Sequence, residues 1–521
     1  MHPSKEDCSK KILISCRATS SLMAKFLEIK DTFLLLPALF LPVLFIIIKN
    51  LKSYFVSRNS AKLPPGPNPW PILGNIPHIG LMPHVSLANL AKIYGPLMSL
   101  KLGTQCIIVG SSPEAAIEIL KSKDRIFSGR YIPKALPATK EELNYLSLGW
   151  ADCNDNWKSL RILCRAELFS KKALESQARL REKSITSLIK FVGSKEGKEV
   201  KIADLVFATV FNILGNSMMS TDFIGLDEKN SDGGMKGIIR DYVEALAAPN
   251  LSDFYPILGK LDLQGIRRKV AVLLAKIRAA WGPIIEERRN GRNNSSTSQD
   301  FLDTLLDNGF SYNQINQLFV ELFAAGTDTT TSTVEWTMVE LLKNPEAMKN
   351  VHREIDTEIN EDFPNNSHLL QLPYLEACTK ETLRLHPPAP LLLPHRAIET
   401  GQVMNYTVPK NAQLVVNAWA IGRNPSVWDK PLEFRPERFL TSSLDFKGND
   451  FEFLPFSAGR RICPGLPMAA KTIPLIVASL IYFFNWSLPH GINPKELNMS
   501  EKFGVTMQME HPLVLVPEAR K

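Results

Sequence analysis

Cysteine is scarce in this chain and nowhere paired. The seven among 521 residues stand at positions 8, 16, 106, 153, 164, 378 and 463, an odd, scattered set without a Cys-x-x-Cys spacing. That pattern excludes a disulfide framework and points to a reducing compartment. A Gly/Ser linker, an internal repeat and a basic tract are lacking too, so nothing divides the globular part. The net charge of +8 is spread along the length, unlike a nucleic-acid binder, and suits an acidic protein partner or an anionic membrane surface. No Gly-x-Gly-x-x-Gly fingerprint occurs, so the chain has no dinucleotide or flavin module of its own. With 45% hydrophobic and 22% charged residues, disorder, a collagen-like repeat and a polytopic membrane protein are excluded, and a large core is expected.

One long apolar run is present: Phe33 to Ile48, FLLLPALFLPVLFIII, followed by Lys49, Lys52, Arg58 and Lys62. Sixteen residues, with their flanks, make a single membrane anchor, and the absence of a small-residue cleavage site argues against a removed signal peptide. Lys5, Lys10, Lys11, Arg17, Lys25 and Lys30 precede the run and would orient it the wrong way for a cytosolic globule. A start at Met23 leaves only Lys25 and Lys30 before it. The expected organisation is an upstream extension or weak presequence at 1–22 and an anchor at 23–50. A basic linker and proline-rich hinge at 51–71 follows, then one large globular domain at 72–521. The hinge contains Leu63-Pro64-Pro65-Gly66-Pro67, whose fixed φ angles and missing donors make a stiff spacer.

Beyond the hinge the periodicity is mainly helical, with short β runs at Leu97–Leu102, Cys106–Val109, Gln413–Val416 and Leu513–Val516, a mainly α fold with small β-sheets. Glu286 to Asp300, rich in turn formers, reads as an exposed loop. A long helix is predicted over about 313–343, with Ser311 and Gln314 as a capping box and a stop at Asn344-Pro345. Its centre, Ala324-Ala325-Gly326-Thr327-Asp328-Thr329-Thr330-Thr331, combines poor helix formers. Two readings stand: a local opening that bares carbonyls and hydroxyls to a ligand, or a tight helix crossing at Gly326.

Four constellations carry chemistry. Phe456-Ser457-Ala458-Gly459-Arg460-Arg461-Ile462-Cys463-Pro464-Gly465 sets one thiol among glycines that admit close backbone approach. Nearby amides and arginine charge would lower its pKa. Glu381 and Arg384 stand at i and i+3 of a helix, and Phe434-Arg435-Pro436-Glu437-Arg438-Phe439 follows. Trp157 and Arg161 are one helical turn apart. With the proline hinge and the Asp328-Thr329 helix, these motifs resemble the cytochrome P450 family in type and order across residues 63 to 465. PPGPNPWPILGN, AAGTDTTTSTVEW and PFSAGRRICPGLPMA resemble plant microsomal members.

The resemblance implies the cytochrome P450 fold and heme b with Cys463 as axial thiolate, iron being the metal. Trp157, Arg161, His395 and Arg461 would meet the propionates, with Phe456, Gly459 and Gly465 shaping the loop and Arg396 as a substitute for His395. Glu381, Arg384 and Arg438 would form a buried structural network. Thr329 would handle dioxygen and Asp328 relay protons. Substrate contacts would come from Phe323, Ala324, Ala325, Gly326, Leu391, Leu392, Phe503, Gly504 and Val505. NADPH-cytochrome P450 reductase is the implied electron donor, with Arg460 and Lys471 on its docking face. The implied location is the endoplasmic reticulum membrane, catalytic domain towards the cytosol. Within the family, WADCNDNWKSLRILCRAELFSKKALE resembles the alkaloid group that contains N-methylcoclaurine 3'-hydroxylase and littorine mutase, making a benzylisoquinoline or tropane alkaloid the expected substrate. A terpenoid hydroxylase, like the geraniol 8-hydroxylase group, and a non-catalytic haem-binding or sensing protein are the alternatives. A carboxylate in the pocket, from Glu141, Glu142 or Asp152, would hold an alkaloid ammonium.

Overall fold

The computed structural model describes residues 62–227, 234–291, 300–359 and 363–520. The expected extension at 1–22 and anchor at 23–50 lie outside the described residues, as do 292–299 of the expected loop. The chain divides into two compact units, residues 1–62 with 69–74, and residues 63–68 with 75–521. In the first, Trp70 and Gly74 exchange backbone hydrogen bonds, both at 2.9 Å.

The second unit is mainly helical. Its longest helix, Tyr312–Lys343, is capped by Ser311 and Gln314 in a reciprocal capping box. It runs unbroken through the threonine-rich centre. The hydroxyls of Thr327, Thr329, Thr330, Thr333 and Thr337 bond back to the carbonyls four residues earlier, at 2.7 to 2.9 Å. These five hydroxyls are thus satisfied inside the helix, and no local opening forms. Gly326 marks a close crossing instead: a Cβ there would lie 2.9 Å from Leu214 Cδ1 in the neighbouring helix Ile202–Met219.

Phe323 stacks on Phe211 at 4.4 Å and on Trp281 at 5.2 Å, forming the aromatic centre of the main core. Among the described residues two helices, Ile202–Met219 and Leu466–Phe483, are long and apolar enough to cross a membrane, but their faces are mostly buried within the protein. Glu286 to Asn290, expected in a loop, continue the helix Ile266–Asn290. Arg288 explains the extension, since it pairs with Asp300 at 3.1 Å and Asp303 at 2.8 Å at the start of the next helix.

The largest sheet has the strand order Leu97–Leu102, Gln105–Gly110, Gln413–Val416, His395–Arg396, Gly129–Arg130. Its last pairing sets Arg130 opposite His395, so backbone register alone brings two basic side chains from distant segments to one edge. A further, three-stranded sheet has the order Val200–Lys201, Val514–Ala519, Phe484–Ser487.

Candidate active site

Cys463 lies between a turn at Gly459–Arg461 and the N-terminus of the helix Leu466–Phe483. Its backbone amide donates to the Phe456 carbonyl at 2.9 Å, folding the loop back on itself. Gly459 has φ +66°, and a Cβ there would sit 1.8 Å from the Leu120 carbonyl oxygen, so only glycine fits. The amides of Gly465 and Leu466 donate to the Cys463 sulfur, the arrangement a helix N-terminus offers an anion. Burial nevertheless pushes the thiol up, outweighing those amides and the Arg161 charge. The expected net lowering is therefore not met by these groups alone.

Beside the loop is a cluster of cations, with Arg130 and Arg461 buried and Arg161 half-buried. Arg161 donates to the Ile462 carbonyl. Arg461 donates to the carbonyls of Ser128, at 2.9 Å, and Ala151. Trp157 lies 4.7 Å under the Arg461 guanidinium, while its indole N–H donates to the Leu148 carbonyl at 2.9 Å. The third guanidinium, Arg130, was not anticipated. It donates to the Leu393 carbonyl at 2.8 Å, and its Nε is buried without a partner. Burial and then the Arg461 charge press Arg130 down to about 9. Burial and Arg130 likewise hold the His395 imidazole well below its ordinary value. His395 Nδ1 donates to the Phe127 carbonyl at 2.8 Å, which leaves Nε2 over.

None of the three guanidiniums has an ion-pair partner among the described residues. Buried cations without anions are costly, and an orphaned N–H adds to that cost. The cluster fits a planar group bearing carboxylates. Arg396 is occupied instead, gripping Asp152 through Nη2 at 2.8 and 2.7 Å, and Lys140 reaches the same carboxylate at 3.0 Å. Arg460 pairs with Asp124 at 3.0 Å. Lys471 is half-buried.

Glu381, Arg384 and Arg438 meet in the core. Arg384 donates to both Glu381 oxygens at 2.7 Å, Arg438 Nε donates to Glu381 Oε1 at 3.0 Å, and the Arg435 backbone amide donates to the same oxygen at 2.8 Å. A further buried carboxylate, Glu321, accepts from Ser147 Oγ at 2.5 Å and from the amides of Leu148 and Gly149 at 2.8 and 2.9 Å. It thereby fixes the loop whose carbonyl receives Trp157.

On the long helix, Ala325 is exposed and Ala324, Gly326 and Thr329 are half-buried, between buried stretches on either side. A cavity of about 660 Å³ lies nearby, lined by Leu391, Phe503, Gly504, Val505 and Asp328, with Arg240, Glu244 and Lys502. Asp328 is buried, its Oδ2 has no partner, and burial raises its carboxyl to about 6. Phe323 and Leu392, expected at the substrate pocket, stand in hydrophobic cores. Ala324, Ala325 and Gly326 are not on this cavity's wall. Nor are Glu141, Glu142 and Asp152. Glu142 caps its own helix, and the carboxylates facing the cavity are Glu244 and Asp328.

Residues 64–516 match the family model described as Cytochrome P450. The chain belongs to the cytochrome P450 family. It is a heme b oxidoreductase of the monooxygenase type, with a cysteine thiolate as the axial ligand. This cytochrome P450 is 49% identical over 472 residues, 90% of its length and 96% of the relative's, to the probable (S)-N-methylcoclaurine 3'-hydroxylase isozyme 2 of Coptis japonica. Corytuberine synthase of the same plant is 45% identical over 92% of this chain and 98% of its own. Geraniol 8-hydroxylase of Catharanthus roseus follows at 42%, over 89% and 95%.

Proposed function

We propose that this cytochrome P450 oxidises a benzylisoquinoline alkaloid, with O2 as oxidant and NADPH-cytochrome P450 reductase as electron donor. It works at the cytosolic face of the endoplasmic reticulum membrane, held there by residues 23–50. The observation that carries the substrate class is the higher identity to the two alkaloid-named Coptis relatives than to the geraniol hydroxylase, over nearly the whole chain. The relatives carry both hydroxylase and synthase names, so the proposal is oxidation of the alkaloid.

When bound, the haem supplies the oxidising power through its thiolate-ligated iron. The residues of this chain do the rest. Cys463 supplies the sulfur, oriented by the Gly465 and Leu466 amides. Arg130, Arg161, Arg461 and His395 receive the propionates, and Trp157 supports the guanidinium of Arg461. Asp328, with a carboxyl that titrates near 6, can hold and release a proton at ordinary pH. Thr329, whose Oγ1 donates to the Ala325 carbonyl at 2.8 Å, keeps lone pairs free to accept a hydrogen bond.

Microsomes carrying this chain and the reductase, supplied with NADPH and either (S)-N-methylcoclaurine or geraniol, test the reading. Oxidised alkaloid is the expected product. Oxidised geraniol beside untouched alkaloid would overturn it.

A further inference from the structure

Glu501 stands next to a run of cavity-lining residues, Lys502 to Thr506. Its strand, Glu501–Lys502, pairs with Gln508–Met509 over two residues only, too short a ladder to fix its own position in water. The second strand is tied from outside: Ser332 Oγ donates to the Met507 carbonyl at 2.6 Å, and the Met507 amide to the Pro388 carbonyl at 2.8 Å. The first is held by side chains. Lys502 makes an exposed pair with Glu244 at 2.6 Å, and the Glu501 carboxylate reaches into the protein.

There its side chain is 12% exposed and meets His84 Nε2 at 3.1 Å, His386 Nδ1 at 3.4 Å and Arg423 at 3.7 Å. These partners are rigid. His386 bonds Glu340 at 2.8 Å and stacks on Trp336, centroids 3.9 Å apart. Arg423 lies 4.1 Å over Trp419, and the His84 carbonyl accepts from Asn417 at 2.8 Å. The His84 ring in turn lies against the Phe503 ring, centroids 5.5 Å apart and planes within 20°.

We propose that Glu501 is a positioning residue for ligand selection: by fixing its strand and the His84 ring, it sets Phe503 as a wall of the cavity. The inference rests on the cavity holding the organic ligand, not on that ligand being an alkaloid. One guanidinium and two imidazoles would not be gathered on one carboxylate merely to fill space, since an apolar side chain does that at lower desolvation cost.

The test uses the full haem-loaded chain and two probes read by optical difference spectra: imidazole, which needs only the iron, and 1-dodecylimidazole, whose tail must enter the cavity. Glu501→Gln should weaken 1-dodecylimidazole about fivefold, roughly one good ring contact, and leave imidazole unchanged. Phe503→Ala should weaken the long probe as well, and E501Q in the F503A background should add nothing further. An unchanged long probe, an equal loss for both probes, or independent losses in the double variant would each overturn the proposal. Should E501Q fail to retain haem, His84→Asn must give the same pattern, and its failure to do so overturns the proposal equally.

Discussion

Arg384 grips Glu381 with two parallel N–H···O bonds, both 2.7 Å, and neither side chain is exposed at all. The remaining guanidinium protons reach the carbonyls of Gly422 at 2.6 Å, Pro431 at 2.7 Å and Glu433 at 3.2 Å. One planar fork therefore ties the helix Pro373–Leu385 to the segment that leads to the Cys463 loop. Lysine is no substitute for that geometry. Arg384→Lys should cost about 3 kcal/mol or more and abolish haem retention, read as the haem content of the purified protein. Normal haem content in that variant would show that the network does not support the site.

Arg130 makes a prediction with two signs. In the haem-loaded protein Arg130→Gln should speed haem transfer to an acceptor globin about tenfold, the loss of one charge-assisted pair. Without haem the same change should raise the melting temperature, because it relieves repulsion from Arg461 and Arg161. If haem transfer is unchanged, Arg130 is not a propionate residue.

Thr329 is tied only to the Ala325 carbonyl, and alanine is the better helix former. Thr329→Ala should fold normally and consume NADPH while product per NADPH falls about tenfold or more. Thr329→Ser should recover most of it. The ratio of NADPH consumed to product formed is the measurement, and an unchanged ratio would remove Thr329 from the reaction.

Glu335, on the same helix, is buried with one bond, from the Leu513 amide at 2.8 Å, and burial raises its carboxyl from 4.5 to about 7. The folded chain thus keeps a proton that the unfolded chain loses. Its stabilising contribution is complete below pH 4.5 and is lost as pH rises through about 7. Glu335→Gln keeps the acceptor without the charge. It should match the parent in acid and exceed it by about 3 kcal/mol near pH ~8, seen in thermal melts across pH. A difference independent of pH would contradict the assignment.

Local chemistry was readable from the sequence wherever its partners are neighbours in the chain. Ser311 and Gln314 announce their capping box, and Glu381 with Arg384 their shared helix face. What escaped depends on partners far away. Arg130 looks ordinary until a strand pairing sets it beside His395 and folding adds Arg161 and Arg461. Glu286 to Asn290 look like a loop because the Arg288 link to Asp300 and Asp303 lies beyond them. The threonine run looks like a helix breaker until the hydroxyls of Thr327, Thr329 and Thr330 are given their carbonyls. Phe323 was placed at the pocket by its position along the helix, whereas Phe211 and Trp281 claim its two faces.

The most direct test is the optical difference spectrum of the reduced, carbon monoxide-bound full chain, taken for the parent and for Cys463→Ser. The parent should show the long-wavelength Soret band that thiolate ligation produces, and the variant should lose it together with turnover. A Cys463→Ser protein that keeps both the band and its activity would contradict the assignment of this sulfur as the haem ligand.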